Sequence, residues 1–256
     1  MAEVQSLARG LRILDLLAQS DGGIGVSDIA QHLGVDKSSA WRLMQTLVSY
    51  GYATQDTRTK RYRTGSHIVA LSYALLRDMP LRDQAKDFLY DLVNRTGECA
   101  HLAVFLQGQA LVIDDIQTTA TLRVITGVGR LSPLHCSAVG KSLLAFGKFP
   151  FPTDLEKYTA RTITDPEMLQ LDLQQTREQG FAVDDEELTI GVRCIAAPVF
   201  DFSGELLGSI GVSGPSVRVS HERLEELAEI VTRVAQELSN NLGYSRQPVQ
   251  ATEIQR

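Results

Sequence analysis

The chain has 256 residues, of which 43% are apolar, and its formal charge is −6 at pH 7. This length suits one large or two ordinary domains, and the overall charge does not by itself indicate nucleic acid. With no apolar run near the roughly 20 residues that span a bilayer, and no signal-peptide core at the start, we expect a cytoplasmic protein without a membrane partner. Three widely spaced cysteines do not indicate a disulfide framework.

The charged residues are distributed unevenly along the chain. Residues 1–75 hold eight Lys and Arg against six Asp and Glu, and the totals of 25 and 31 leave 17 against 25 for the remainder. Four of the basic side chains fall within Asp56–Arg63. The asymmetry favours two domains, a mildly basic one followed by an acidic one.

The first 50 residues predict three short helices in the order of a helix-turn-helix. Ser27 can cap a short second helix that ends at Gly34, and Asp36 can cap a third helix. Helical spacing of apolar residues predicts the buried stripe of each longer helix. In the first helix the stripe is Leu7, Leu11, Leu14, Leu17 and Ala18, and in the third it is Ala40, Leu43, Met44, Leu47 and Val48.

The opposite face of the third helix is polar and indicates DNA recognition. Short side chains permit close approach to the major groove, and Arg42 could donate two hydrogen bonds to guanine. An isolated helix of this kind would more often be solvated surface, but here a short helix and a glycine turn precede it. Trp41 is expected to be a packing anchor rather than a base contact. The candidate base-reading residues are Lys37, Ser38, Ser39, Arg42 and Gln45.

Residues 54–64 predict a basic hairpin directly after that helix. Thr alternates with basic residues, and the two short strands would join at Asp56–Lys60. A basic hairpin alone is usually solvated surface, but beside a recognition helix it is a wing whose side chains contact phosphates. The candidate phosphate contacts are Arg58, Lys60, Arg61 and Arg63.

Residues 66–79 predict an apolar helix between the two domains, closed by Pro80. A connector this apolar needs a partner. The partner is either the same helix of a second copy, which would pair two operator half-sites, or the connector's own domain. Both alternatives remain open from the sequence.

In the second domain, two segments have unusual chemistry. Within residues 129–146, Pro133 ends an extended run, and the backbone N–H groups of Cys136–Gly140 would open a helix as a carboxylate-binding cradle. Within residues 180–215, the side chains of Asp184, Cys194 and Ser213 could converge from neighbouring strands to line one pocket. The acidic run that begins at Asp184 by itself indicates a solvated helix start. Nucleotide-binding glycine motifs are missing from the sequence, so we expect no cofactor.

A metal-sensing regulator or a metal-dependent enzyme is the alternative interpretation. His135, Cys136, Asp184 and Cys194 could supply mixed ligands, although no close pair has standard zinc spacing. His135 is also poorly placed to activate Cys136 as a nucleophile, because neighbours on an extended chain point to opposite sides. We therefore expect no catalytic residue and no metal ligand.

Four segments, taken in order, closely resemble the IclR family of bacterial transcriptional regulators: SLARGLRIL, DKSSAWRLMQTLVSYGY, PLHCSAVGKSLLA and DDEELTIGVRCIAAPVFDFSGELLGSIGVSGP. The resemblance implies an α+β chain with a winged helix-turn-helix at 1–65, a linker helix at 66–79 and a flexible tail at 245–256. Residues 80–244 would form a GAF-like domain whose curved antiparallel sheet holds a small-molecule effector. The implied protein is a regulator, a repressor rather than an activator, and a homodimer or tetramer on double-stranded operator DNA.

The resemblance also implies the effector contacts, and it includes two departures. Some members that bind small keto-acids have a serine where this chain has Gly211, a loss that would remove a donor and open space for a larger or less polar effector. The family often has proline where this chain has Asp36, which can cap the helix instead. An organic acid or an aromatic metabolite is the expected effector class. The implied contacts are the backbone of Ala138 and Val139 and the side chains of Asp184, Cys194 and Ser213.

Overall fold

The computed structural model describes residues 3–77 and 79–245, and the chain divides into two compact units between Met79 and Pro80. Asp78 of the predicted linker helix, and the predicted tail beyond Ser245, lie outside the described residues. No helix in the described ranges is long and apolar enough to cross a membrane.

The N-terminal unit has the predicted winged helix-turn-helix order. Gly34 adopts the left-handed conformation, φ 63°, that turns the chain sharply between the second and third helices. Asp36 then caps the third helix by accepting a hydrogen bond from the Ser39 N–H at 2.9 Å. The elements are α1 Gln5–Gln19, α2 Val26–Leu33, α3 Lys37–Ser49, β1 Ala53–Gln55, β2 Tyr62–Thr64 and α4 His67–Arg77.

Part of the buried stripe predicted for the first helix is wrong. Ile13 and Leu17 are the buried residues of α1, whereas Leu7 and Leu11 are exposed. At 3.6 residues per turn, Leu11 lies roughly 160° around the helix from Ile13 and Leu7 roughly 120°. In α3 the predicted stripe does face the core, since Ala40 and Met44 are buried and the other three are partly buried. Ala18 is also exposed.

The wing is anchored to the helices by one aromatic residue. Tyr62 of β2 is buried, pairs with Ile24 before α2 and lies in the helical core. Strands β1 and β2 are antiparallel, with Ala53 opposite Thr64. The predicted hairpin is thus present and begins where expected.

The C-terminal unit is built on a sheet of antiparallel pairs in the order β5-β4-β3-β8-β7-β6. Helix α6 packs on the face that carries Ala103 and Ala196, and the alternate residues Leu102 and Ile195 are buried on the other face. Pro80 opens α5 as its first residue, a position where its missing N–H costs nothing. The elements are α5 Pro80–Thr96, β3 Cys99–Leu106, β4 Gln109–Ile116, β5 Leu131–Pro133, α6 Ala138–Phe146, α7 Pro166–Gln179, β6 Ala182–Asp185, β7 Val192–Phe200, β8 Leu206–Pro215 and α8 His221–Asn241.

The sheet is curled into a half-barrel, which confirms the expected α+β class with a curved antiparallel sheet. The pairing register shifts between Leu102 and Ala103 and between Val199 and Phe200. Such irregularities bend and twist a strand. The concave face that results lies under α6, where the candidate effector residues are found.

Candidate functional site

The predicted base-reading residues on the polar face of α3 differ in their solvent exposure. Lys37, Ser38 and Arg42 are exposed, whereas Ser39 and Gln45 are half-buried. Gln45 is turned towards the wing, where its amide lies 3.5 Å from the Tyr62 hydroxyl. The exposed three are therefore the residues with free access to solvent on this face.

Asp36 organises the start of α3. Its carboxylate accepts hydrogen bonds from the hydroxyls of Ser38 and Ser39, at 2.5 and 2.7 Å, in addition to the backbone N–H. These hydrogen bonds hold the pKa of Asp36 well below its usual range, so the group is ionised at neutral pH. Because both hydroxyl protons are given to Asp36, the two serines have only lone pairs left for another partner. They can accept from an exocyclic amino group of a base but cannot donate.

The basic residues of the wing divide into free and tethered side chains. The turn is fixed by Asp56, whose carboxylate accepts from the N–H groups of Arg58 and Thr59. Arg58 and Lys60 are exposed at the tip. Arg61, in contrast, donates from Nη1 to the Gly23 carbonyl at 2.7 Å and so ties the wing to the turn after α1.

Trp41 lies on the exposed surface of α3 rather than in the core. The residues of α3 that face the core are Ala40 and Met44, and Trp41 is 50% exposed. The predicted packing role of Trp41 is therefore wrong. Trp41 and Arg42 line a shallow groove together with Arg9 of α1. Sequence reasoning did not place Arg9 there, since only the packing of α1 beside α3 brings it to this surface.

The C-terminal unit contains a cavity of about 160 Å³ between the sheet and the start of α6. A cavity of this size is close to one that holds a benzene ring. The five implied contacts line it, whereas Gly211, the sixth position considered, does not: the five are Ala138, Val139, Asp184, Cys194 and Ser213. The sequence did not single out other polar lining residues, which are His101, Thr126, Arg130, Ser132, Ser137 and Thr189.

Strand register brings the three candidate side chains into one row. Asp184 of β6 lies opposite Cys194 of β7, which in turn lies opposite Ser213 of β8. The Ser213 hydroxyl donates to the Cys194 sulfur at 3.0 Å. Because directly opposed residues point to the same face of a sheet, all three face the cavity. This is the convergence that the sequence suggested.

Asp184 differs from the solvated helix start that the acidic run indicated. It is 2% exposed, stands in β6, and accepts hydrogen bonds from the N–H groups of Glu187 at 2.8 Å and Leu188 at 3.3 Å. Burial raises the pKa of Asp184 to about 6, and these hydrogen bonds oppose the increase. The carboxyl can therefore change charge near neutral pH inside the cavity.

The start of α6 offers a narrower cradle than the predicted Cys136–Gly140. Ser137 caps the helix by accepting from the Gly140 N–H at 3.2 Å, and Cys136 does not line the cavity. Within the described residues, no acceptor is found for the N–H of Ala138 or Val139. These two groups lie at a positive helix end and can bind an anion.

A buried lysine, which sequence reasoning missed, supports this cradle. Lys141 is 1% exposed, and its Nζ lies 2.6 Å from Glu187 Oε1 and 3.2 Å from Asp172 Oδ2. Burial alone would lower the pKa of Lys141, but the two carboxylates outweigh it and raise that pKa. The ion pairs tie α6 to α7 and to the turn that carries Leu188 of the cavity wall.

Gly211 does not open the space expected from its missing side chain. It does not line the cavity, and a Cβ there would lie 2.3 Å from the Ile195 carbonyl oxygen and 2.8 Å from the Ala196 Cβ. The neighbouring strand β7 fills that volume. The sequence could not reveal this, because the close approach depends on how β7 and β8 pair.

The four residues of the metal-site alternative are not gathered into one site. His135 bonds through Nε2 to the Glu156 carbonyl at 3.0 Å, and burial raises the pKa of Cys136 to about 12. Neither lines the cavity that contains Asp184 and Cys194. Among the described residues, no group of three or more His, Cys, Asp and Glu side chains could hold a metal ion.

Both units of the chain are similar to those of known bacterial transcriptional regulators. Residues 6–57 match the IclR helix-turn-helix domain, and residues 73–240 match the family described as bacterial transcriptional regulator IclR, C-terminal. The chain is 38% identical to the HTH-type transcriptional regulator BhcR of Paracoccus denitrificans over 245 residues, 92% of this chain and 86% of that protein. It is 32% identical to the transcriptional repressor IclR of Escherichia coli over 252 residues, 95% of this chain and 92% of the repressor. An IclR homolog of Microbacterium hydrocarbonoxydans, solved in complex with 4-hydroxybenzoate, has a similar fold: the TM-score is 0.78, the identity 22%, and the coverage 93% of this chain and 98% of that one.

Proposed function

The chain belongs to the IclR family of bacterial transcriptional regulators, and from this membership we propose that a small carboxylate in the C-terminal cavity controls how the winged domain binds its operator. The relatives include repressors, and we assign this protein the same direction of control. It would act in the cytoplasm, where the operator DNA lies, and without catalytic activity.

The observation that carries the carboxylate assignment is the convergence of donors in one cavity. The unpaired N–H groups of Ala138 and Val139 stand at the positive end of α6. The Ser213 hydroxyl on the sheet face donates to Cys194 in this structure and would turn its proton to the ligand. Arg130, also on the cavity wall, adds a positive charge. Asp184 can accept a proton when an anion arrives, because its pKa is about 6. The 4-hydroxybenzoate complex of the Microbacterium homolog supports an acid of this size.

The DNA contacts are proposed from exposure and charge. The residues that would meet base edges in the major groove are Lys37, Ser38, Ser39, Arg42 and Gln45. Lys37 and Arg42 would donate hydrogen bonds there, and the two serines would accept them. Arg58 and Lys60 would meet phosphates at the wing tip. The tether to Gly23 gives Arg61 a second role, that of holding the wing at a fixed angle.

A dimer, alone or paired into a tetramer, is proposed from two apolar faces of the N-terminal unit. Leu7 and Leu11 of α1 are exposed, and α4 exposes Val69, Leu71 and Leu75. Contiguous exposed apolar side chains of this number mark an interaction surface in soluble proteins. A second copy would cover them and would place two recognition helices on two half-sites of one operator.

The test is operator binding measured with and without ligand. A thermal-shift screen of small aliphatic and aromatic acids identifies a ligand, because binding only to the folded state raises the melting temperature. Fluorescence anisotropy with DNA from upstream of the neighbouring genes then measures operator affinity with the ligand at saturation. Operator affinity should change at least several-fold for the wild type and remain unchanged for Asp184→Ala. Identical affinities for the wild type in both conditions would contradict the proposed control.

A further inference from the structure

The half of the cavity formed by β3 and β4 contains a buried imidazole with an unpaired nitrogen. His101 of β3 lines the cavity, is 3% exposed, and has no hydrogen-bond partner for its Nδ1 among the described residues. Leaving a buried polar group unpaired costs roughly 1–3 kcal/mol, so its persistence needs an explanation.

The strand pairing shows why the protein itself supplies no partner. Across β8 the residue opposite His101 is Gly211, which has neither a side chain nor room for one. Across β4 the residue opposite is Asp115, whose Oδ1 accepts the hydroxyl of Thr126. The glycine thus offers no side chain, and Asp115 makes its hydrogen bond to Thr126 rather than to the imidazole.

His101 lies beside the Ser213 end of the row formed by Asp184, Cys194 and Ser213, because Ser213 is two residues from Gly211 on the neighbouring strand β8. In the sheet order, β3 is two strands from the β7 strand of Cys194 and three from the β6 strand of Asp184. With strands about 4.8 Å apart, these backbones are separated by roughly 10 and 14 Å. His101 is thus separated from Asp184 across the sheet, and the apolar Val112 of β4 lines the cavity on the His101 side.

We propose that His101 is a specificity-determining residue, which selects effectors that carry a hydroxyl group in addition to their carboxylate. This inference rests on the proposed function, because it takes the carboxylate to lie at Ala138 and Val139. Burial lowers the pKa of His101 to about 4, so the ring is neutral at pH 7. A neutral imidazole has one N–H donor and one nitrogen acceptor, and a hydroxyl can satisfy either. An acid that ends in a methyl or an aromatic C–H leaves the ring unpaired and should bind more weakly.

Two matched pairs of acids test this on the full-length protein by isothermal titration calorimetry at pH 7. The pairs are 4-hydroxybenzoate with benzoate and 3-hydroxybutanoate with butanoate. In at least one pair the wild type should bind the hydroxy acid more tightly by roughly 5- to 150-fold, the range set by leaving a buried group unpaired. His101→Leu should abolish that preference by weakening the hydroxy acid, while the affinity for the plain acid stays within about twofold.

Two further variants keep the test decisive. His101→Asn retains a donor and an acceptor in a smaller side chain, and should keep part of the preference even where the leucine variant folds poorly. His135→Asn is the matched control, because His135 is also buried in this unit but does not line the cavity, and the preference should survive it. Equal binding of both members of each pair to the wild type would overturn the role of His101 and leave the carboxylate site intact. Failure of all four acids to bind would overturn the carboxylate site itself, and this inference with it.

Discussion

Replacement of Lys141 by methionine should destabilise the C-terminal unit strongly, although the two side chains are similar in length. The ammonium is almost fully buried and forms ion pairs with Glu187 at 2.6 Å and Asp172 at 3.2 Å. Removing one partner of a buried pair typically costs about 3–5 kcal/mol, since the remaining charge has lost its compensation. For a unit of this size each kcal/mol lowers the melting temperature by roughly 2–4 °C, so we expect a decrease of about 6–20 °C.

The assay is thermal unfolding at pH 8 and again at pH 5.5. Burial raises the pKa of Glu187 to about 7 even beside Lys141, and Lys141→Met removes a charge that lowers this pKa. More of the carboxyl is therefore ionised and uncompensated at pH 8 than at pH 5.5, so the loss should be smaller at the lower pH. The double variant with Glu187→Gln should recover part of the loss, because it removes the stranded charge. Lys148→Met is the control, since Lys148 is exposed and its replacement should have little effect. A melting temperature for Lys141→Met within about 2 °C of the wild type at pH 8 would refute the reasoning.

Three other predictions concern charge, DNA and assembly. Asp184→Asn keeps the acceptor for the Glu187 and Leu188 N–H groups but cannot ionise. The wild type loses stability as pH rises through about 6, because folding raises the pKa of Asp184 to about 6. The variant should therefore be more stable than the wild type at pH 8, and unfolding at pH 4 should show no such advantage. Arg42→Ala should reduce the ratio of operator to random-DNA affinity, whereas Lys60→Ala should weaken both equally and lower the salt slope by about 0.9; equal effects of the two changes in anisotropy titrations would contradict these roles. Leu71→Asp should shift the protein to monomers in light scattering and weaken operator binding, and an unchanged mass would reject the proposed interface.

In the DNA-binding unit, the sequence predicts local features but not contacts between residues far apart in the chain. The Asp36 cap, the Gly34 turn and the hairpin at Asp56 were predicted, because each depends on residues within a few positions of one another. The tether from Arg61 to Gly23 was not, because its partners are 38 residues apart. The exposure of Leu7 and Trp41 was also missed, since helical spacing identifies a stripe but not which neighbour covers it.

The sequence by itself determined the family, the order of the helices and strands, and the cluster of Asp184, Cys194 and Ser213, since local patterns and a recognisable motif order carry that information. Only the tertiary structure placed Lys141 beside Glu187, closed the space at Gly211 and left His101 without a partner in the cavity. The physical reason is that these three features depend on strand register and helix packing between segments far apart in the chain. A change of one residue in the pairing of β3 with β8, for example, would turn His101 to the other face of the sheet.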